Sequence, residues 1–273
     1  MNVDLYLKRI NYDGSLQATT ETLRALQWAH LKAVPFENLS IHINEPIVLN
    51  DEGLYDKIVR CRRGGFCYEA NGLFSWLLSE LGFHVQKLSA GVANSKGVFG
   101  PEFDHMTLVV SLAERWLADV GFGDSFRYPL LLDERGEQHQ GRRSYRIVDN
   151  KDSLLLLQRE NSNEWTPQYR FNLAPHDFSD YQGMCEYHQS SPESHFTQNI
   201  ICSKATDEGR VTISGNRLIV TSADGTRNES TLSGVEELLQ VLRDTFGIHL
   251  PEGDRLKSSK PLVAFSRKFK KKL

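Results

Sequence analysis

Apolar residues change their spacing twice along this chain. Through the first third they recur at helical intervals. Leu23, Leu26 and His30 fall to one side of a segment that Thr19 or Thr20 can cap and that must stop before Pro35. Leu54, Ile58 and Cys61 repeat the pattern. Beyond Gly64-Gly65, Leu73, Leu77 and Leu81 recur at i+4 with Phe74 and Leu78 beside them, and Gly82 supplies the stop. From about Lys87 the texture turns to short apolar runs between turn residues: Leu88 to Val92, Met106 to Leu112, Arg115 to Val120, Ser144 to Val148 and Ser153 to Gln158. Such spacing predicts an antiparallel sheet or small barrel. The last part mixes strands, Val211 to Ile213 and Arg217 to Thr221, with one helix. Ser233 and Glu236 read as its capping box, Val235, Leu238, Leu239, Leu242 and Phe246 as its apolar side, and Gly247 as its end. The class is α+β, in three tightly packed parts: 1–86 helical, 87–190 β-barrel, 191–273 an α/β lid with a basic tail.

Composition narrows the function classes. In 273 residues, 32 basic side chains nearly balance 35 acidic ones for a net charge of −3, so no whole-protein field points to nucleic acid or a membrane surface. The first residues carry Asp4, Lys8 and Arg9 without an apolar core, and no 18-residue apolar run occurs, so neither a secretory signal nor a membrane span is expected. Four cysteines, Cys61, Cys67, Cys185 and Cys202, lack paired metal-ligand spacing. No metal site is expected, the thiols read as reduced, and the expected location is cytoplasmic. Nothing here speaks to oligomeric state.

The chemistry concentrates in Arg62-Arg63-Gly64-Gly65-Phe66-Cys67-Tyr68-Glu69. The glycine pair followed by a helical pattern puts Cys67 near a helix N-terminus, where unpaired N–H groups favour an anion and lower a thiol's pKa. Downstream, His105 opens the apolar run Met106 to Val110, and Asp119 closes the run Trp116 to Val120 before Gly121-Phe122-Gly123. Taken singly, each residue has a plainer reading: a core cysteine, a hydrogen-bonded strand histidine, a turn aspartate. Together they supply a nucleophile, a base, and a carboxylate that orients the base. Register makes this testable. A two-residue loop between the runs would set Asp119 opposite Leu108, away from His105. A three-residue loop at 112–114 pairs 107 with 119 and puts Asp119 on the face of His105 as a diagonal neighbour.

Five segments in order, His30 to Leu39 (HLKAVPFENL), Arg62 to Asn71 (RRGGFCYEAN), His105 to Val110, Asp119 to Gly123 (DVGFG) and Tyr187 to Phe196 (YHQSSPESHF), resemble those of the arylamine N-acetyltransferases. The likeness runs from the first residues to about Thr212, and more loosely to Leu250. It implies a helical bundle, a β-barrel and an α/β lid around a cysteine-protease-like Cys-His-Asp core. It also implies ping-pong transfer of an acetyl group from acetyl-CoA, a co-substrate rather than a tightly bound cofactor, through acetyl-Cys67 to aromatic amines or hydrazines. His105 would be the base, Asp119 its orienter, and Phe36, Phe122 and Phe126 an apolar acceptor pocket. An oxyanion could be met by the backbone N–H groups of Cys67 and Tyr68.

The other prominent residues read as structural. At least one of Arg62 and Arg63 is expected to pair with Glu37 rather than clamp a phosphate. Cys61, Cys185 and Cys202 are expected in the core, and His84, His176 and His195 in surface or structural roles. The basic cluster Arg267 to Lys272 reads as a solvated terminus. Competing functions on the same scaffold are a cysteine hydrolase or transglutaminase-like enzyme, a macrolactam-forming amide synthase, and a non-catalytic acyl-CoA-binding relative.

Overall fold

The computed structural model describes residues 1–160 and 164–250; the basic tail at 257–273 lies outside the described residues. The helical part holds α1 (Val3–Arg9), α2 (Thr20–Ala33), the single turns α3 (Leu39–His42) and α4 (Asp51–Tyr55), and α5 (Cys67–Glu80). Thr19 caps α2, its hydroxyl accepting from the Thr22 N–H, and Val34, extended ahead of Pro35, ends it. Helix α4 runs on into a π-turn, Asp56–Arg60. That wider turn shifts the buried side to Ile58 and Val59 and leaves Cys61 exposed, not in the core as its spacing from Leu54 and Ile58 suggested. In α5 eleven of fourteen residues are buried, because the helix is enclosed by α1 and α4 on one side and by sheet strands on the other.

The central part is an eight-stranded antiparallel sheet: β2 (His84–Val92), β3 (His105–Ser111), β4 (Arg115–Ala118), β5 (Leu130–Leu131), β6 (Gln138–Gln140), β7 (Arg143–Asn150), β8 (Ser153–Glu160) and β9 (Thr166–His176). The order is β5-β4-β3-β2-β9-β8-β7-β6. The two ends meet through side chains instead of a ladder. The Gln138 amide bonds both the N–H and the carbonyl of Leu131 at 2.8 and 2.9 Å, and Gln140 accepts from the Arg127 and Tyr128 N–H groups at 2.8 and 3.0 Å. The barrel so closed is filled by Leu88, Val109, Leu117, Phe126, Tyr145, Ile147, Leu156, Tyr169 and Phe171. Strand β3 is buried on both faces: Leu108 and Val110 face the helices, and Val109 faces the barrel.

After the barrel come α6 (Phe178–Ser190) and α7 (His195–Gln198). Gly72 of α5 admits α6: a Cβ there would lie 2.1 Å from the Phe178 ring. The last part carries β10 (Ile201–Thr206), β11 (Gly209–Ser214), β12 (Arg217–Ser222), β13 (Arg227–Thr231) and α8 (Val235–Val241), which continues as a π-turn through Phe246. Gly247 ends it in the left-handed conformation, φ 69°. The cap differs from expectation. Ser233 bonds Glu237 through both its N–H and its hydroxyl, at 2.6 and 2.7 Å, where the sequence pointed to Glu236. Strand β10 pairs with β1 (Phe36–Glu37), Phe36 with Ser203 and Glu37 with Cys202, so distant stretches of the chain share one antiparallel sheet, ordered β1-β10-β11-β12-β13. This pairing fixes Phe36 over the helical part. Among the described residues no helix is long and apolar enough to cross a membrane.

Candidate active site

Cys67 is the first residue of α5, and Phe66 is its N-cap. Glu69 takes the Phe66 N–H at 3.0 Å, half of a capping box. The glycines before it are demanded by space. A Cβ on Gly64 would sit 1.9 Å from the Pro35 carbonyl oxygen, and one on Gly65 would sit 2.6 Å from Glu69 Cβ. Below this turn Arg63 is buried against Glu37, Nε to Oε1 2.9 Å, with Glu45 at 3.3 Å. Arg63 therefore stitches the segment 36–45 to the Cys67 loop, the structural role expected of one of the two arginines.

The β3–β4 hairpin has the three-residue loop. Leu108 pairs with Ala118 and Ser111 with Arg115, and the same register carries Thr107 opposite Asp119. His105 and Asp119 thus share a face, and their side chains meet, Nε2 to Oδ2, at 2.7 Å. Both are buried, at 2% and 3% exposure, as is Cys67 at 3%.

Asp119 is over-determined by its neighbours. Its Oδ1 accepts from Asn71 Nδ2 at 2.8 Å and from the Gly121 N–H at 2.9 Å. Its Oδ2 takes the Tyr169 hydroxyl at 3.3 Å besides His105, and its own N–H donates to Gln27 Oε1 at 3.2 Å. Asn71, four residues after Cys67 on α5, also donates to the Met106 carbonyl at 2.7 Å and accepts from the Val120 N–H at 2.8 Å. One amide therefore ties the cysteine's helix to the strand that bears His105 and to Asp119 and Val120, just past the end of β4. Gly121 completes the closure, since a Cβ there would lie 2.8 Å from Cys67 Cα and 2.7 Å from Asn71 Nδ2.

Burial decides the electrostatics. It pushes the Cys67 thiol well above its ordinary value; a backbone hydrogen bond from Met106 opposes this, and the charges of Asp104 and Asp119 add to it. The direction is opposite to the one expected from the position at the helix terminus. Ionisation has to be coupled to a proton acceptor. Burial and the Asp119 charge likewise push Tyr169 well up, so its hydroxyl stays a donor to Asp119.

Cys67 and His105 open onto a cavity of about 370 Å³. Its walls include Phe36, Gly121, Phe122 and Phe196, and, on a more polar side, Asp104, His188 and Glu193. The Phe122 ring meets the His105 imidazole edge-on, centroids 5.1 Å apart. Phe126, expected in this pocket, is elsewhere. It is 1% exposed and packs edge-on against Tyr145 inside the barrel, because the turn at Gly123 directs the chain from the cavity rim into the barrel core. Cys185 and Cys202 are buried, as expected. His195, expected in a surface or structural role, is exposed at the lining of the cavity.

Sequence reasoning missed Asn71, Tyr169, Asp104 and His188. A polar residue at i+4 from Cys67 on an apolar helix was a legible signal for Asn71. Tyr169 had none, because its strand was not read.

A family model described as N-acetyltransferase matches residues 19–255. The chain belongs to the arylamine N-acetyltransferase family. The arylamine N-acetyltransferase of Escherichia coli K12 is 33% identical over 246 residues, which cover 89% of this chain and 87% of that protein. That of Mycolicibacterium smegmatis is 33% identical over 257 residues, 92% of this chain and 93% of its own. Among solved structures, the Mycobacterium marinum arylamine N-acetyltransferase in complex with CoA superposes with a TM-score of 0.84 at 32% identity, covering 90% of this chain and 93% of that one. The α+β architecture is thus the family's own.

Proposed function

We propose that this protein transfers an acetyl group from acetyl-CoA to aromatic amines or hydrazines, in two steps through acetyl-Cys67. The observation that carries this reading is the convergence of Cys67 and His105 on one cavity, with His105 bonded to Asp119 at 2.7 Å. Nε2 of His105 is engaged by Asp119, so Nδ1 is the nitrogen left to take the thiol proton. Proton transfer makes a thiolate–imidazolium pair, which offsets the burial cost that either charge would meet alone. Asp119 holds the ring in the tautomer this requires and stabilises its cation.

The Cys67 sulfur then attacks the thioester carbonyl. The new S–C bond forms as the bond to the CoA sulfur breaks, and the imidazolium returns its proton to the departing CoA thiolate. One thioester replaces another, so the step is nearly balanced in energy. In the second half the amine nitrogen attacks acetyl-Cys67, His105 takes the proton that nitrogen sheds, and Cys67 leaves as the thiolate. Cys67 and Tyr68 are the first residues of α5, and their backbone N–H groups have no partner within the helix; they are the proposed oxyanion donors. Phe36 and Phe122 form the apolar wall for the acceptor ring.

The three parts, 1–86, 87–190 and 191–273, each contribute to this site: Cys67, then His105 with Asp119 behind it, then Phe196. All four cysteines are free, in keeping with a nucleophilic thiol working in the reducing cytoplasm.

Intact-protein mass spectrometry tests the route. Wild type mixed with acetyl-CoA alone should gain one acetyl group and lose it on addition of an aromatic hydrazine, whereas Cys67→Ala should gain none. An adduct of equal yield on both proteins would remove Cys67 from the mechanism.

A further inference from the structure

Opposite the His105–Asp119 pair, the cavity wall carries a second histidine and carboxylate. His188, near the end of α6, is 6% exposed, and its ring lies among Tyr68, Phe196 and Tyr187 at centroid distances of 6.1, 5.3 and 5.6 Å. Its Nε2 is 3.3 Å from Asp104 Oδ1. That contact is too bent for a hydrogen bond, and neither ring nitrogen has a hydrogen-bond partner in the protein. Asp104 is itself fixed, its Oδ2 accepting the Val92 N–H at 3.0 Å. The residue therefore sits buried in an aromatic cage at the wall of the cavity that Cys67 lines, its two ring nitrogens covered and their hydrogen-bonding capacity unused. A buried polar group left unpaired calls for a partner, and on a cavity wall a water or a ligand can supply it.

We propose that His188, polarised by Asp104, is a specificity-determining residue that accepts a hydrogen bond from a ring hydroxyl or ring N–H of the acceptor amine. A carboxylate beside Nε2 favours the tautomer with the proton on that nitrogen, which leaves a lone pair on Nδ1. A small turn of the ring toward the cavity brings that lone pair to a donor on the substrate. The charge around it points the same way. Asp104 and Glu193 both line the cavity, so an acceptor bearing a ring carboxylate meets like charge, and a neutral donor-bearing ring does not. The phenylalanines of the opposite wall hold the ring face while His188 reads its substituent. A site built to meet a substrate O–H discriminates strongly against an analogue lacking it, because the protein's own buried group is then left unpaired.

This inference rests on the transferase reading above, and the experiment separates the two. Acetyl-charged enzyme is given matched pairs of acceptors, 3- or 4-aminophenol against 3- or 4-methylaniline, which differ by a hydroxyl for a methyl group. The quantity read is the ratio of kcat/KM within each pair, so any general loss in a variant cancels. Wild type should favour one aminophenol isomer. His188→Leu should lower that ratio about tenfold. His188→Asn places an amide near the Nδ1 position and should restore most of it. Asp104→Asn should raise relative activity toward 4-aminobenzoate. Equal ratios in wild type and His188→Leu would overturn the assignment while an acetyl adduct on Cys67 leaves the transferase standing. Absence of that adduct in wild type would overturn both.

Discussion

Asn71 offers a direct test of whether the candidate site is held by one side chain. It is fully buried and makes three hydrogen bonds: to the Met106 carbonyl at 2.7 Å, to Asp119 Oδ1 at 2.8 Å, and from the Val120 N–H at 2.8 Å. Asn71→Ala removes all three and leaves a backbone acceptor and a backbone donor buried without partners. Each neutral bond contributes about 1 kcal/mol net, and the bond to the carboxylate about 1.5–2 kcal/mol. Asp119 keeps His105, the Gly121 N–H and Tyr169, so it is weakened and not orphaned. The expected loss is about 3.5–4 kcal/mol, a large share of the roughly 5–15 kcal/mol that holds a typical protein folded. For a chain of this size that lowers Tm by about 7–16 °C. Equilibrium urea denaturation at pH 7, with calorimetry alongside, reads the change, and the rate of acetyl loading on Cys67 follows it. A loss below about 1 kcal/mol would refute the argument, since it would mean that water or a neighbour replaces the amide at no cost. Asn71→Asp sharpens the test. It keeps an acceptor for the Val120 N–H but sets a second carboxylate against Asp119, so the pair has to hold a proton and its folded pKa rises. Its stability should therefore fall further as pH rises, a trend that the alanine variant lacks.

Two further outcomes follow from the same geometry. Burial alone would raise Glu37, but Lys57, Arg63 and the Leu39 N–H together hold it below its ordinary value of 4.5, so its contribution is present above that pH and lost as pH falls through the depressed pKa. Arg63→Met removes the main partner of a buried carboxylate and should cost about 3–5 kcal/mol at pH 7. It should also reverse the trend, the variant gaining stability relative to wild type on acidification from pH 7 to 5; denaturation midpoints at both pH values decide it. Phe122→Ala and Phe126→Ala should separate pocket from core. The first should raise KM for an arylamine acceptor with little change in Tm, and the second should cost about 3–5 kcal/mol of stability with acceptor KM unchanged. Similar KM effects in both would place Phe126 back at the cavity.

Local patterns that depend on neighbouring residues were legible from the chain. Thr19, Pro35, Gly82 and Gly247 bound their helices as read, because caps and stops act within a few residues. The three-residue hairpin loop, and with it the shared face of His105 and Asp119, followed from the period of two along a strand. Strand β9 was hidden by Pro167 and Pro175, which speak against a strand; its ladder is irregular near both, with register shifts between Leu156 and Leu157 and between Leu88 and Ala90. Cys61 was misplaced because a π-turn leaves no periodic trace.

What the sequence alone determined is which residues are the candidates for the chemistry and the local frame of each: a cysteine at a helix start, a histidine and an aspartate on one hairpin face. Only the tertiary structure decided which residues surround them. Asn71 bridges α5 to β3 and to Asp119, Tyr169 reaches Asp119 from a strand fifty positions on, and His188 lines the cavity from α6. It also turned the direction expected for the thiol, because burial, which no local pattern reports, pushes it up. Hydrogen-bonding period and capping are written into neighbouring residues; desolvation and long-range contact depend on everything the chain packs around them.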